Sequence, residues 1–273
     1  MIKKPNYLAY ILGYEYDVIK YVLDNIEKHY YEKKEPKIND DGTQKTRKGE
    51  PQYRILNPSK GLLEEIQNKI KIKIISKIQF PEYIFGGIRG KSNINNAKRH
   101  QGRKYHFCTD LQKFYPSVTY KDVYDMFINH SFSPDVSHIL TLLTTYKGCL
   151  PQGTHTSPYL ANLVFLPIDK RLLEFCKDKN IIYTRYVDDL SFSSSSNFKN
   201  YTFGLIDIIN DCGYKINHIK TTYKIGPSLV TGIVVNNNNL DVREDQIRKL
   251  NDLFLPKSSR DGLFRYIQNV KNA

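Results

Sequence analysis

Ile181-Ile182-Tyr183-Thr184-Arg185-Tyr186-Val187-Asp188-Asp189 decides the reading of this chain, because a β-branched and aromatic run here ends in two adjacent carboxylates. Such neighbours repel one another and lose solvation when buried, so the pair is costly unless a cation neutralises it. Divalent metal ions are the natural neutraliser: two Mg²⁺ ions held about 3.5–4 Å apart remove the penalty and activate phosphoryl transfer. An Asp-Asp pair alone proves little, since most lie in solvated turns.

Two further segments change the balance. Upstream, Tyr105-His106-Phe107-Cys108-Thr109-Asp110-Leu111 reads as a buried strand that supplies a third acid, followed by the aromatic turn Gln112-Lys113-Phe114-Tyr115-Pro116-Ser117. Between the two strands lies Leu150-Pro151-Gln152-Gly153-Thr154-His155-Thr156-Ser157-Pro158. Pro158 suits the first turn of a helix continued by Tyr159–Phe165, and Gly153 lets backbone approach a ligand closely.

In this order and spacing the three segments resemble the palm of a reverse transcriptase. Two shorter elements resemble one branch of that family, the bacterial retron reverse transcriptases: Asn96-Ala97-Lys98-Arg99-His100 before the first acid-bearing strand, and Val230-Thr231-Gly232 after the palm. The resemblance implies an α+β, right-hand polymerase fold with N-terminal helices and fingers over 1–103, a catalytic palm over 104–235 and a short helical thumb over 236–273. It also implies two Mg²⁺ ions at Asp110, Leu111, Asp188 and Asp189, with Asp110 and Asp188 bridging both ions and Asp189 supporting one. Asp189 meets an objection, since adjacent side chains of a strand point to opposite faces.

The same resemblance distributes the substrate roles. Tyr115 lies where the family places an aromatic under the incoming sugar, as a gate for dNTPs; the competing reading is a core tyrosine packed on Phe114. Gln152 and Gly153 shape the nucleotide pocket, and Arg54 resembles the arginine that grips the triphosphate, with Arg47 and Lys48 as helpers. A solvated side chain is the alternative for each of these cations. Lys220 matches a palm lysine near the pyrophosphate, against an ordinary surface lysine. Asn96, Ala97, Arg99 and His100 belong to a surface that engages a cognate non-coding RNA, and Val230, Thr231 and Gly232 help to bind it and position the priming end; for both elements a packing role weighs equally. Val187 departs from the family, which usually has Ala there.

The implied activity is RNA-directed DNA synthesis on a cognate structured non-coding RNA, giving a branched RNA–DNA molecule and serving phage defence. Its implied partners are dNTPs, the DNA product, a separate effector protein and host ribonuclease H, with no membrane. Other bacterial group II-like reverse transcriptases and a non-catalytic RNA-binding scaffold are the alternatives. Three acids kept together argue against the scaffold, and 273 residues leave no room for a maturase extension.

Composition agrees with a polyanionic partner. The net charge is +13, and residues 60–104 hold 11 Lys and Arg against 3 Asp and Glu. Interleaved rings, 21 Tyr and 13 Phe in all, favour nucleic acid, whose bases stack on them. The four cysteines are widely spaced, which suggests neither a zinc site nor a disulfide framework. With no run of about 18 apolar residues and no signal-like start, a soluble, cytoplasmic protein is expected.

Along the chain, the spacing predicts a helix pair over 7–29 broken at Gly13, and a hairpin of Tyr30-Tyr31 with Tyr53–Leu56 around Asn39-Asp40-Asp41-Gly42-Thr43. Asn57-Pro58-Ser59 is expected to cap a helix with the face Leu62, Leu63, Ile66, Ile70 and Ile74, and Ser92 to cap a shorter one. Further helices are expected near 119–130, 134–146, 157–178 and 203–210. Two amphipathic helices follow, carrying Ile247, Leu250, Leu253 and Phe254, then Leu263, Phe264, Tyr266, Ile267 and Val270.

Overall fold

The computed structural model describes residues 2–39, 42–252 and 255–273. The chain forms two compact units, Met1–Phe80 with Lys113–Leu166, and Pro81–Gln112 with Pro167–Ala273. Both are discontinuous in sequence, unlike the contiguous regions expected above.

In the first unit, α1 (Pro5–Leu12) opens with a proline whose missing N–H is one a helix start leaves unused, and Gly13 ends it in the left-handed region. After α2 (Tyr16–Asp24) come β1 (Lys33–Pro36), β2 (Thr46–Arg47), β3 (Glu50–Pro51) and β4 (Tyr53–Leu56). β1 pairs antiparallel with β4, so the expected hairpin exists, but its first strand is Lys33–Pro36. Tyr30 makes only an isolated bridge to Ser59. Asp40 and Asp41 of the expected loop lie outside the described residues.

α3 (Leu62–Lys73) buries Leu63, Ile66 and Ile70, with Glu64 and Glu65 in its first turn and Lys71 and Lys73 in its last, each charge complementing the helix dipole. Ser59 does not cap it. Gly61 holds the cap position, and the buried Ser59 hydroxyl donates to Gln67 Oε1 at 2.7 Å, while Gln67 Nε2 donates to the Tyr30 hydroxyl and the Leu143 carbonyl. A hydroxyl already serving a buried amide is not available to the helix end.

The chain crosses the second unit as α4 (Asn93–Lys98) and β5 (Tyr105–Asp110), then returns as α5 (Phe114–Ser117), α6 (Tyr120–Asn129) and α7 (Pro134–Thr144). Ser92, Thr119 and Ser133 cap α4, α6 and α7 through their hydroxyls. α8 (Ser157–Lys177) carries Pro167, where the division between units falls.

The rest belongs to the second unit: β6 (Ile182–Tyr186), β7 (Asp189–Ser194), α9 (Thr202–Asp211), β8 (Thr222–Ile225), β9 (Ser228–Val230), β10 (Ile233–Val235), β11 (Leu240–Val242), α10 (Glu244–Leu250) and α11 (Lys257–Lys271). An antiparallel sheet in the order β6-β7-β5-β8 buries Phe107, Tyr183 and Phe192 against one another. A second sheet, β11-β10-β9, joins α4 and α11 around Ala97, Ile233, Val235, Leu240, Ile267 and Val270. The expected 235/236 boundary therefore lies inside the hairpin that pairs Val235 with Leu240. Leu253 and Phe254 lie outside the described residues. Strands segregated from helices, with antiparallel pairing throughout both larger sheets, make the fold α+β.

Candidate active site

The three acids gather at one end of the four-stranded sheet. Asp110, the last residue of β5, lies opposite Asp189, the first of β7. β6 and β7 close with Tyr186 paired to Asp189, so Val187-Asp188 is a two-residue turn, with Val187 at φ 59°. Asp188 is thus a turn residue rather than a strand residue, and the alternation that told against Asp189 does not apply to the pair. The Leu111 amide donates to the Asp188 carbonyl at 3.0 Å, tying the end of β5 to the turn. The Leu111 side chain is apolar and buried, so only its carbonyl can serve a metal.

Lys220 reaches the same point. Its Nζ donates to Asp110 Oδ2 at 2.7 Å, and Asn217 Nδ2 donates to Oδ1 at 3.2 Å. Asn217 also donates its amide to the Asp110 carbonyl at 2.7 Å. Partial burial works against the Lys220 charge, but the hydrogen bond to Asp110 and the fields of Asp110, Asp189 and Asp188 outweigh it and raise its pKa. Burial, then Asp188, then Asp110 push Asp189 up to about 7, against a smaller opposing effect of Lys220. One cationic side chain therefore does not balance three acids.

Among the described residues, no three His, Cys, Asp or Glu side chains already converge as a metal cage. The donor set nevertheless fits a divalent cation. Hard carboxylate oxygens and a main-chain carbonyl suit Mg²⁺, and a field that keeps Asp189 partly protonated near neutrality is one that added positive charge would relieve.

Behind the turn lies an ion pair that the sequence reading missed. Arg185 is wholly buried and grips Asp169 of α8 through Nε to Oδ1 at 2.8 Å and Nη2 to Oδ2 at 2.6 Å. Tyr183 donates its hydroxyl to the same Oδ1, and Arg185 Nη1 donates to the Val187 carbonyl at 3.0 Å. A charge within an apolar strand pattern and another within an apolar helix pattern were the available signal, since unpaired charges are not kept inside.

In the first unit, the Asn57 amide donates to the Gln152 carbonyl at 2.8 Å, so the Gln152-Gly153 loop meets the chain just after β4. Arg54 on β4 is exposed, opposite Glu35 in the register. Tyr115 is half-buried in α5 beside Phe114, at 5.9 Å between ring centres.

Of the residues expected either to meet RNA or to pack, four take the packing role. Asn96, Ala97, His100 and Val230 are buried and form no surface. Ala97 and Val230 sit in the core of the three-stranded sheet, and His100 is clamped between the Ser193 and Thr184 hydroxyls at 2.7 Å each. Burial, with His106, Arg99 and Arg103 adding to it, takes the His100 pKa down to about 3, so the ring is neutral. The two short elements instead meet each other: Asn96 Nδ2 donates to Thr231 Oγ1 and Asn93 Nδ2 to the Thr231 carbonyl, both at 3.2 Å. Arg99 is exposed, and Thr231 and Gly232 are partly so.

Residues 44–248 match the model of the reverse transcriptase (RNA-dependent DNA polymerase) family. The chain is 34% identical over 221 residues to the Retron Se72 reverse transcriptase of Salmonella heidelberg, covering 79% of this chain and 56% of that protein. It is 32% identical over 214 residues to the Retron Ec86 reverse transcriptase of Escherichia coli, covering 75% and 66% respectively. It thus spans only part of either relative's length. In fold it is similar to telomerase from Candida albicans, with TM-score 0.52 and 11% identity over 84% of this chain and 49% of that one. The acid-bearing sheet end, the match over three quarters of the sequence and the retron relatives agree: the chain belongs to the reverse transcriptase family and has the α+β polymerase fold of its members.

Proposed function

We propose that the chain is an RNA-directed DNA polymerase of retron type, which copies a cognate structured non-coding RNA into a branched RNA–DNA molecule. The observation that carries this reading is the convergence of Asp110, Asp188 and Asp189, with Lys220, at one sheet end in a chain of this family. Asp110, Asp188, Asp189 and the Leu111 carbonyl would hold two Mg²⁺ ions. When bound, such ions activate the primer hydroxyl and stabilise charge on the triphosphate and the leaving pyrophosphate.

The chain's own groups do the rest. Lys220, whose pKa is raised through its bond to Asp110, would give charge or a proton to departing phosphate oxygen. Arg54 offers a planar fork to the triphosphate, Gln152 and Gly153 shape the pocket, and the Tyr115 ring excludes a ribose 2′-hydroxyl. In these terms 1–103 serves as fingers, 104–235 as palm and 236–273 as thumb. RNA preference falls to Arg99 and the open faces of Thr231 and Gly232, with Asn96, Ala97, His100 and Val230 holding them in place. A role in phage defence with a separate effector, template removal by host ribonuclease H and a cytoplasmic site of action complete the reading. Among the described residues no helix is long and apolar enough to cross a membrane.

The test supplies purified protein with the structured RNA encoded beside it, dNTPs and Mg²⁺, and no primer. DNA joined to RNA through a linkage cut by debranching enzyme is expected, and Asp188→Asn should abolish it while RNA binding persists. Arg99→Ala should reduce this self-primed product more than extension of an annealed primer on a generic template. Synthesis only from ordinary 3′ primers would leave a reverse transcriptase but remove the retron assignment.

A further inference from the structure

The segment Tyr83–Gly86 lies along β6 and meets the Tyr186–Asp189 turn. Arg185 donates its amide to the Tyr83 carbonyl, Phe85 donates its amide to the Arg185 carbonyl, both at 2.9 Å, and Ile84 forms a parallel bridge with Arg185. This added strand-like contact delivers Gly86, which is buried, against the turn. A Cβ placed on Gly86 would lie 2.6 Å from Val187 Cγ2, 2.6 Å from the Val187 nitrogen and 2.8 Å from the Tyr186 carbonyl carbon. A methyl can swing away; two main-chain atoms cannot.

Gly86 is not among the glycines at positive φ, so its backbone does not require glycine. Space does. Gly90 of the same loop is the converse case, at φ +80° with nothing within 4 Å of a built Cβ. On the other side, Arg185 holds the Val187 carbonyl. Val187 is therefore confined from two directions, and the next residue is Asp188.

We infer that Gly86 is a positioning residue for DNA synthesis: its missing side chain lets Tyr83–Gly86 seat against Tyr186-Val187 and thereby sets where the Asp188 carboxylate stands. This rests on the reading of Asp188 as a metal-binding acid. A displaced turn moves that carboxylate without touching the exposed cations that bind nucleic acid.

Gly86→Ala, Gly90→Ala, Val187→Ala, the Gly86→Ala/Val187→Ala pair and Asp188→Asn are compared on an annealed primer and generic template. Read alongside are Tm, RNA affinity and Mn²⁺ binding by its electron paramagnetic resonance signal. Gly86→Ala should lower kcat by about a hundredfold, the scale of an ångström's misplacement. It should weaken Mn²⁺ binding and leave RNA affinity and the KM for dNTP unchanged, as expected when only a reacting group moves. Gly90→Ala, strained at φ +80° but with nothing near its Cβ, should lower Tm and leave kcat, Mn²⁺ binding and RNA affinity of the folded protein unchanged. In the Val187→Ala background the penalty of Gly86→Ala should shrink but persist, because one of three close contacts is gone. That background also supplies the comparison if Gly86→Ala alone does not fold.

Parent-like kcat and Mn²⁺ affinity in Gly86→Ala overturn the inference. So does a loss of activity that merely tracks the folded fraction, with unaltered Mn²⁺ affinity in what remains folded. Persisting synthesis in Asp188→Asn would instead overturn the reading of the site beneath it.

Discussion

Two tight hairpin turns in the second unit each put a β-branched residue in the left-handed region, and they are stabilised in opposite ways. In Tyr186-Val187-Asp188-Asp189 only the first central residue has positive φ, the pattern of a type II′ turn, which favours glycine at that place; the chain has Val187 at φ 59°. In Val230-Thr231-Gly232-Ile233 both central residues do, at 46° and 82°, the pattern of type I′, and Gly232 takes the second at no steric cost. The second turn carries much of its own solution, aided by Asn93 and Asn96. The first does not, and depends on Arg185 and Gly86 around it. Strain imposed from outside belongs where a side chain must be aimed, and the strained turn is the one that carries Asp188.

The harshest way to break this comparison is to remove the outside support. Arg185→Met leaves the Asp169 carboxylate buried and unpaired and frees the Val187 carbonyl, and should cost about 3–5 kcal/mol in urea unfolding. Replacing both charges, Arg185→Met with Asp169→Leu, should recover much of that stability because no lone charge remains inside. DNA synthesis should not recover with it. If the double variant regains both, Arg185 supports the core and not the turn.

Much of this was legible beforehand. Periodicity gave the helices at 120–129, 134–144 and 157–177 to within a residue or two, because each has a hydroxyl cap or proline at its start and an apolar face. That Asp110 and the Asp188-Asp189 pair belong together was legible only from the order and spacing of the segments that carry them, since a lone Asp-Asp pair mostly marks a solvated turn. Pairing was not: nothing local says that Lys33–Pro36, largely charged and mostly exposed, is the partner of Tyr53–Leu56. Short motifs leave direction open. Asn-Ala-x-x-His and Val-Thr-Gly admit a surface or a packing reading, and the buried Asn96 and His100 take the second: Asn96 Nδ2 donates to Thr231 Oγ1, and His100 bonds the Thr184 and Ser193 hydroxyls. A three-letter pattern records which residues are needed, not which way they face.

His100 is the joint between the two regions, bonded to Thr184 of β6 and Ser193 of β7 while lying just past α4, whose Asn93 and Asn96 hold Thr231. Unfolded, an imidazole takes up a proton near pH 6.5; folded, this one does so only near 3. Between those values the unfolded chain binds more protons, so the His100 contribution is complete above pH 6.5 and is lost as pH falls. The slope should approach about 1.4 kcal/mol per pH unit. Urea melts at pH 7, 5.5 and 4.5 measure it, and His100→Gln should show a shallower loss by that amount. Parallel curves would mean that the ring is solvated and the joint is not closed.

The smallest expected effect sharpens the comparison most directly, through a reciprocal swap of the two β-branched side chains. Thr231→Val keeps the shape but deletes the hydroxyl that accepts from Asn96, leaving a buried amide N–H without its partner, and should lower stability by about 1–2 kcal/mol. Val187→Thr adds a hydroxyl at a half-buried site, where it can reach water, and should change Tm less than Thr231→Val does. The two effects should be independent, since one turn is held by a side-chain hydrogen bond and the other by packing and a main-chain carbonyl. A larger loss from Val187→Thr would show the opposite: the turn bearing Asp188 would then be governed by its own side chain rather than by Arg185 and Gly86.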